Sequence, residues 1–311
     1  MANVLVLTAN ALLDHLALAP FAAGTINRVG RFQPIAGGKG LNVGRVLARH
    51  GHRVTACGFA GGDSGRQLAE LVVADGLEPA FTATAARTRI GFCVADERGG
   101  ASAALEGGFA VEPAEVAALA REVAGRLHGC DLVIACGSVP DDATCTSLYR
   151  LVLAACAEAG VTCWVDAYGP AMREALTGGH PPALAKPNRD EYDRDRAWLT
   201  CPELHLTDGG RELRVRHPEG RFRVVPPPVI ESNPIGSGDC YLAGLAHARL
   251  AGFTLADQLR YAAAAGAANA ARADVARIGP TDITALTDRV VVVPAGDEAG
   301  ILDDSAPGQG R

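Results

Sequence analysis

Two glycine-rich loops that lie far apart in the 311-residue chain constrain its fold more than any other feature. The first contains residues 37–40 (Gly-Gly-Lys-Gly) and the second residues 236–239 (Gly-Ser-Gly-Asp), and each precedes a pattern typical of a helix. Backbone amides at a helix N-terminus bind phosphate oxygens, and small residues let a phosphate approach them closely. Neither loop has the spacing of a Walker A or dinucleotide-binding motif. The two loops therefore favour a fold that brings them together around a phosphate group.

The second loop also carries a candidate general base. Asp239 lies at the start of the helix predicted from Tyr241 to Ala251. Its carboxylate can take a proton from an acceptor hydroxyl, which is worth about 10²- to 10⁴-fold in rate. The amides of Gly236, Ser237 and Gly238 can stabilise the charge of a transferred phosphoryl group. The alternative is a plain charge at a helix N-terminus, worth about 0.3–1 kcal/mol.

Short apolar runs alternate with helical patterns along the chain, which is typical of a parallel sheet covered by helices on both faces. The predicted strands are Val4 to Leu7, Val54 to Cys57, Leu132 to Cys136, Val161 to Asp166, Leu184 to Lys186 and Leu204 to Thr207. The predicted covering helices are Leu41 to His50, Gly65 to Ala74, Pro113 to Leu127 and Ser147 to Ala159. This pattern predicts an α/β, doubly wound, mostly parallel sheet.

Two turn-rich segments, about 14–35 and 88–104, interrupt this alternation. Insertions after strand ends fall at the edge where open α/β sheets bind ligands, so these segments predict a small β-sheet lid over the site. We expect residues 1–299 to form a single α/β domain that includes this lid. The polar, Gly-rich residues 300–311 predict a disordered tail.

The composition limits the class of protein. A hydrophobic fraction of 48% and a charged fraction of 21% are typical of a globular chain. The net charge of -6 argues against a nucleic-acid partner, which requires an excess of clustered Lys and Arg. Residues 1–7 lack the features of a secretory signal, and no segment predicts a membrane span. The nine cysteines contain no CxxC pair, which favours a reducing cytoplasm over a zinc site or disulfide framework.

The two loops and the segment between them resemble the PfkB (ribokinase-like) family of carbohydrate kinases. Residues 36–51 resemble the first signature of that family, and residues 233–246 resemble the second. Lys186, Pro187, Asn188 and Glu191 resemble its Lys-Pro-Asn-x-x-Glu element, and residues 207–209 (Thr-Asp-Gly) resemble the start of its nucleotide-binding turn.

Within the family, the sequence is most similar to the phosphosugar branch, which includes 1-phosphofructokinase and tagatose-6-phosphate kinase. The residues that carry this likeness are Thr8, Asn10, Asp14, Thr88, Arg89, Ile90, Gly137, Ser138 and Pro140. The branch usually has Pro-Ala where this chain has Ala11 and Leu12, beside the expected sugar site. The identity of the substrate is therefore less constrained than the type of reaction.

The resemblance implies a role for each matching residue. Asp239 is implied as catalytic base, with Gly236, Ser237 and Gly238 around the transferred phosphoryl group. The acceptor site is implied to contain Asp14, Gly38, Lys39, Asn42, Arg89 and Ser138. ATP is implied to contact Lys186, Asn188, Thr207 and Gly209, with Asn269 near adenine, and Mg²⁺ to lie near Glu191 and Asn188. The resemblance also implies a homodimer joined through the lids, and neither a membrane nor a nucleic-acid partner.

A second departure affects the nucleotide side of the site. Only 15 residues separate Glu191 from Thr207, where the family usually carries a complete helix, and Glu212 replaces a common Gly. We expect one covering helix to be shortened or lost. Weaker ATP binding than in relatives is the resulting hypothesis.

The sequence thus predicts ATP-dependent phosphorylation of a ketose phosphate hydroxyl, of the 1-phosphofructokinase or tagatose-6-phosphate kinase type. One alternative is a kinase of an unphosphorylated sugar or nucleoside, for which Arg89 would lack an anionic partner. The other is a non-catalytic sugar-phosphate sensor on the same fold, because a fold alone does not determine function.

Overall fold

The first strand of the chain points its alternate side chains into two different cores. The computed structural model describes residues 1–22, 24–96, 101–192 and 196–296. In strand β1 (Asn3–Thr8), Val4 and Val6 pack into one hydrophobic cluster, while Leu5 and Leu7 pack into the other. A strand buried on both faces is typical of a parallel sheet between two helical layers.

The described residues contain two sheets. In chain order, the strands that follow β1 are β2 (Leu12–Leu18), β3 (Gln33–Gly37), β4 (Arg53–Ala60), β5 (Glu78–Ala83), β6 (Arg89–Ala95), β7 (Ala101–Leu105), β8 (Leu132–Cys136), β9 (Cys163–Asp166), β10 (Leu184–Ala185), β11 (Glu203–Leu206), β12 (Leu213–His217), β13 (Gly220–Val225) and β14 (Val291–Ala295). The large sheet has the order β14-β13-β12-β11-β10-β9-β8-β1-β4-β5 and is parallel from β11 to β5. The small sheet has the order β3-β2-β6-β7.

Helices cover both faces of the large sheet. They are α1 (Lys39–Arg49), α2 (Gly62–Ala74), α3 (Pro113–Ala124), α4 (Asp142–Cys145), α5 (Leu148–Ala159), α6 (Gly169–Thr177), α7 (Ser237–Leu250), α8 (Leu255–Ala270) and α9 (Pro280–Thr287). Buried residues of α1, α2, α7, α8 and α9 belong to one core, and those of α3, α5 and α6 belong to the other. Within the described residues, no helix is both long and apolar enough to cross a membrane.

The predicted α/β architecture, with a mostly parallel central sheet and a smaller separate sheet, is confirmed. The segment 14–35 supplies most of β2 and part of β3, and the segment 88–104 supplies β6 and most of β7. The predicted tail, 300–311, lies outside the described residues.

The sequence did not predict the antiparallel end of the large sheet. Strands β12, β13 and β14 extend it beyond β11 as antiparallel neighbours. In β12 and β13, Arg214 and Arg216 lie opposite Arg223 and Arg221. Successive side chains of a strand point to opposite faces of the sheet, so around these arginines only every second residue is apolar and the strands lack a continuous apolar run. The segment between Glu191 and Thr207, expected to lack a full helix, contains a 3-10 helix at Arg196–Thr200 in its described part.

Candidate active site

The carboxyl ends of the parallel strands open into a cavity of about 640 Å³. Every residue predicted for the site except Asn269 lines this cavity: Asp14, Gly38, Lys39, Asn42, Arg89, Ser138, Lys186, Asn188, Glu191, Thr207, Gly209, Gly236, Ser237, Gly238 and Asp239. Strands β1, β8, β9, β10 and β11 all end at this edge, which explains how residues from distant parts of the chain meet. The two glycine-rich loops lie on the same cavity, as predicted from their composition.

The second loop has a conformation that requires glycine. Gly236 has a φ of 83° and caps helix α7, and a Cβ added there would lie 2.8 Å from Cγ1 of Val275. A side chain would therefore be strained by both its backbone conformation and its contacts. At Gly238, an added Cβ would lie 3.2 Å from Nζ of Lys186. The loop thus presents the N-terminus of α7 directly to the cavity, next to a lysine ammonium group.

Two buried asparagines hold this loop in place. Asn233 accepts a hydrogen bond from the Ile235 amide at 3.0 Å. Asn269 donates to the Ile235 carbonyl at 2.9 Å and to Ser237 Oγ at 3.1 Å, and it accepts from the Ala276 amide at 2.7 Å. Its side chain is fully buried. The structure thus places Asn269 against the loop and not on the cavity wall, where contact with adenine was expected, and both hydrogens of its amide are donated to the loop.

Asp239 lies in the first turn of α7 and is 6% exposed. Its Oδ2 accepts a hydrogen bond from Asn42 Nδ2 at 2.8 Å. Burial, together with the negative charge of Asp166, raises the pKa of Asp239 to about 6, although Lys39 acts in the opposite direction. A carboxyl group with this pKa is ionised near neutral pH and still basic enough to accept a proton.

A cluster of four charged side chains lies beside this carboxylate. Nζ of Lys39 lies 3.2 Å from Asp166 Oδ1 and 2.7 Å from Glu191 Oε1. Nζ of Lys186 lies 3.0 Å from Asp166 Oδ2, and both of these side chains are buried. Burial alone would lower the pKa of Lys39, but Asp166, Glu191 and Asp239 raise it. Burial alone would raise the pKa of Asp166, but the two lysines lower it. Lys39 and Asp166 are therefore charged at neutral pH.

The Asn188 turn orients Glu191 and joins the next strand. Asn188 Oδ1 accepts from the Glu191 amide at 2.8 Å, and Glu191 Oε2 accepts from the Asn188 amide at 3.0 Å. Asn188 also forms a parallel bridge with Thr207, which places Gly209, with a φ of 56°, at the cavity wall. This arrangement fixes one carboxylate oxygen of Glu191 and leaves the other against Lys39.

The lid and the end of β1 supply the other end of the cavity. Arg89 of β6 donates to the Asn10 carbonyl through Nε and Nη2, at 3.2 and 3.0 Å, and to the Glu106 carbonyl through Nη1 at 2.9 Å. Asn10 Nδ2 in turn donates to Ser138 Oγ at 3.0 Å. Asp14 lines the same region, and burial raises its pKa. A guanidinium, a hydroxyl and a carboxyl group thus converge where the lid meets the large sheet.

Comparison with known proteins identifies the family of the chain that carries this site. A family model described as pfkB family carbohydrate kinase matches residues 5–195 and 202–281. The chain belongs to this family. The predicted membership is confirmed, and with it the assignment of the chain as a sugar kinase.

Relatives of this pfkB chain include kinases named for phosphorylated sugars. Tagatose-6-phosphate kinase of Staphylococcus epidermidis is 27% identical over 309 residues, which cover 93% of this chain and 99% of the relative. The structure of a possible 1-phosphofructokinase from Thermotoga maritima has a TM-score of 0.83 at 22% identity, and covers 94% of this chain and 100% of its own. Phosphofructokinase-2 from Escherichia coli, in complex with substrates and products, has a TM-score of 0.81 at 25% identity, with 92% and 99% covered.

Several residues of this pfkB site were not predicted from the sequence. Asp166 ends a predicted apolar strand. Because open α/β sheets bind ligands at the carboxyl ends of their strands, a carboxylate at that position could have been predicted to lie at the site. Tyr168 also lines the cavity, and its ring centre lies 5.6 Å from Nζ of Lys39. The apolar wall around Pro226–Val229, with Ala263 and Ala267, carries no motif.

The charged cluster of this pfkB chain has suitable donors for Mg²⁺, which prefers oxygen ligands and retains several waters. Asp166 and Glu191 place two carboxylates on one lysine ammonium group. Within the described ranges, no group of three His, Cys, Asp or Glu is arranged to hold a metal ion. An ion here would therefore take its remaining ligands from water and nucleotide phosphates.

Proposed function

We propose that the chain transfers the γ-phosphoryl group of ATP to a hydroxyl of a ketose phosphate, as a tagatose-6-phosphate kinase or 1-phosphofructokinase does. The observation that carries the proposal is the position of Asp239. It is buried at the N-terminus of α7, next to the Gly236–Gly238 amides and the Lys39 and Lys186 ammonium groups, in one cavity with a lid arginine. The names of the relatives support the same class of acceptor.

Each group has a distinct task in the proposed reaction. Asp239 accepts the proton of the acceptor hydroxyl as that oxygen attacks the γ-phosphorus. The amides of Gly236, Ser237 and Gly238 donate to the oxygens of the moving phosphoryl group, on which charge is spread in the transition state. Lys186 adds positive charge beside these amides. Bound Mg²⁺, held near Asp166, Glu191 and Asn188, would neutralise phosphate charge.

Arg89 and Ser138 are proposed to hold the phosphate of the acceptor, and Asp14 to orient its sugar hydroxyls. Arg89 has five N–H donors, of which the structure uses three on backbone carbonyls, so donors remain for a phosphate. Lys39 and Gly38 lie between this region and Asp239. Asn42, expected to contact the sugar, lines the cavity and also donates to Asp239. We propose that it holds the base next to the acceptor.

The nucleotide is proposed to enter from the opposite side, past Thr207 and Gly209. The apolar wall of Pro226–Val229, Ala263 and Ala267 offers a surface for the adenine ring. Glu212 lies near Arg223, with Oε2 3.2 Å from Nε, and does not line the cavity. We therefore expect the acidic side chain of Glu212 to have little effect on the nucleotide phosphates.

Two further properties belong to the same proposal. The nine cysteines are free thiols, which supports a cytoplasmic location.

The small sheet exposes Leu18 and Phe92, which are 51% and 47% accessible, and an uncharged edge strand, β7. Exposed apolar edges of this kind favour pairing with another chain, so we propose a homodimer joined through the lids.

The test is an ADP-release assay with five acceptors: tagatose 6-phosphate, fructose 1-phosphate, fructose 6-phosphate, ribose and adenosine. We expect one ketose phosphate to be preferred, and Asp239→Asn to lower kcat by at least about 10²-fold. The matched control is Asp257→Asn, which changes an exposed carboxylate in the first turn of α8 and should retain activity. Preference for ribose or adenosine would favour the alternative kinases, and absence of turnover with all five would favour a sensor.

A further inference from the structure

Arg45 is a buried arginine in the middle of helix α1, and the cavity does not include it. Its side chain is 2% exposed, and it does not line the site. A buried guanidinium is retained only when its charge is paired and its donors are used. Nε donates to Asp75 Oδ2 at 2.7 Å, Nη1 to Asn42 Oδ1 at 2.8 Å and Nη2 to the Ala36 carbonyl at 2.6 Å. Arg45 therefore cannot touch a substrate, but it contacts a residue that touches the base.

We infer that Arg45 is a positioning residue that fixes which end of the Asn42 side-chain amide faces Asp239. The inference rests on the proposed role of Asp239 as base. Asn42 and Arg45 are three residues apart on one helix, a spacing that places their side chains on one face.

The two ends of an Asn side-chain amide differ in hydrogen bonding, because the oxygen accepts and the nitrogen donates. The oxygen and nitrogen of an Asn side chain have nearly the same shape, so a rotation exchanges an acceptor for a donor. Arginine can only donate, and therefore it selects Oδ1 of Asn42. This leaves Nδ2 of Asn42 directed at Oδ2 of Asp239, at 2.8 Å. Without Arg45, the ionised carboxylate, which only accepts, still selects Nδ2 of Asn42, but a protonated Asp239 is then free to donate to a rotated Oδ1.

Arg45 is itself held from the far side. Asp75 is 8% exposed and accepts from Arg45, and its other oxygen lies 3.3 Å from Nη2 of Arg277. A continuous series of contacts thus runs from Arg277 through Asp75, Arg45 and Asn42 to Asp239. These contacts hold the Asn42 amide in one orientation, and Arg45 does so without contacting the sugar substrate.

The consequence concerns the ionisation of the base. A hydrogen bond donated to the charged form of a carboxyl group lowers its pKa. Asn42 has this effect on Asp239. Loss of the Arg45 donor lets the amide rotate and accept from protonated Asp239, which stabilises the uncharged form, so that the acidic limb of kcat/KM moves upward by about one pH unit.

The experiment measures kcat/KM against pH with the preferred acceptor for the unmodified chain, Arg45→Met and Arg45→Lys. Lysine keeps a charge for Asp75 but has no planar fork to bridge Asp75 and Asn42, and it is the variant that preserves the fold if Met does not. The structural control is Val46→Ala, which removes buried volume from the same helix and leaves the Asn42 and Arg45 side chains unchanged. Circular dichroism and thermal melting monitor folding in every variant.

We expect both Arg45 variants to shift the acidic limb upward, and Val46→Ala to lower the melting temperature without shifting it. In the Asn42→Leu background, Arg45→Lys should add no further shift. An unchanged limb in folded Arg45→Lys, or an equal shift in Val46→Ala, would overturn the inference. Asp239→Asn separates the two proposals: if it stays active, the base assignment is wrong, and if it is inactive while Arg45→Lys shows no shift, only the role of Arg45 is wrong.

Discussion

Asp239 must be charged to act as a base, yet the fold removes it from water. Burial and the nearby Asp166 carboxylate disfavour its charged form, while Lys39 and the amide of Asn42 favour it. The balance leaves a pKa of about 6, well above that of an exposed aspartate. This pKa suits the proton transfer proposed for Asp239 near neutral pH, and it lowers the stability of the folded chain at that pH.

The pKa of Asp239 predicts the stability of Asp239→Asn. Since folding raises the pKa from 3.8 to about 6, the native state binds more protons, and its stability falls as pH rises through this interval. The asparagine variant avoids that loss. We expect its free energy of unfolding at pH 8 to exceed that of the unmodified chain by about 3 kcal/mol, with little difference below pH 4. Urea unfolding at several pH values measures it, and a variant that is less stable at pH 8 would contradict the assignment.

The pH dependence of turnover follows from the same group. Because the base acts in its ionised form, kcat/KM should be constant above pH 7 and fall about tenfold per pH unit below about pH 6. The rate measurement uses saturating ATP and limiting acceptor. A flat profile down to pH 5 would exclude Asp239 as the titrating base.

Arg89 and Arg87 form a natural pair for testing the acceptor site. Arg89 lines the cavity, whereas Arg87 is 55% exposed and pairs with Glu106 outside it. Losing a hydrogen bond to a charged group costs about 1.5–3 kcal/mol, so Arg89→Ala should lower kcat/KM for the preferred phosphosugar by about 10- to 100-fold. Arg87→Ala should stay within about twofold. Equal effects of the two changes would point to an unphosphorylated acceptor.

The site residues that the sequence predicted lie in short local motifs, and the resemblance of these motifs to those of the family identifies them. Lys39 and Asp239 are examples, since each follows glycines before a helix. Asp166 and Arg45 are different, because their importance comes from partners distant in the chain, such as Lys186 and Asp75. The contacts of Asn269 with the second glycine-rich loop were not predicted, since a polar residue on an Ala-rich helix gives no indication of which loop it will contact.

At the scale of elements, helices α1 and α7 both begin at the site and end at a common histidine cluster. The cluster consists of His50, His52 and His247 with Tyr261. The Ala2 amide donates to His52 Nδ1 at 3.3 Å, so His52 Nε2 carries the hydrogen that it donates to His247 Nδ1 at 3.0 Å. His50 donates to the Val46 carbonyl and accepts from Tyr261. This network requires neutral rings.

The cluster predicts a loss of stability in acid. Burial, followed by His50 and His52, lowers the pKa of His247 to about 4. A folded-state pKa below the unfolded value of about 6.5 means that the unfolded chain binds protons first. The contribution of the cluster to stability should therefore be lost between pH 6.5 and pH 4, where protonation of Asp239 acts in the opposite direction. The melting temperature of His247→Phe, relative to that of the unmodified chain, should rise as pH falls through this interval. His128→Phe, at an exposed position, is the control and should show no such relative rise.

Element prediction succeeded where burial on both faces gives continuous apolar runs, as in β1 and β8. It failed for β12 and β13, in which Arg214, Arg216, Arg221 and Arg223 alternate with core residues. Like charges directly opposite one another are unfavourable in a sheet, so the sequence of these two strands does not indicate pairing. Here the cost is offset by packing of Val215 and Val224 against the core.

At the scale of the whole molecule, the small sheet contributes to the site and exposes a surface of its own. Asp14 and Arg89 face the cavity from β2 and β6. On the same sheet, Leu18 is 51% exposed, and the edge strand β7 carries no charged residue. If two lids pair through this surface, association will fix the position of Arg89 relative to the large sheet. Dimerisation and acceptor binding should then be linked.

Leu18→Glu tests this linkage, because it places a charge on the proposed contact without altering a cavity residue. The control is Val73→Glu, an equally apolar and exposed position, 58% accessible, on helix α2. In light scattering after gel filtration, we expect the unmodified chain and Val73→Glu to show twice the chain mass, and Leu18→Glu the single chain mass. The monomeric variant should bind ATP normally but have a raised KM for the phosphosugar, since the lid then moves independently. A monomeric unmodified chain would exclude the lid dimer, and a dimer in Leu18→Glu would place the interface elsewhere.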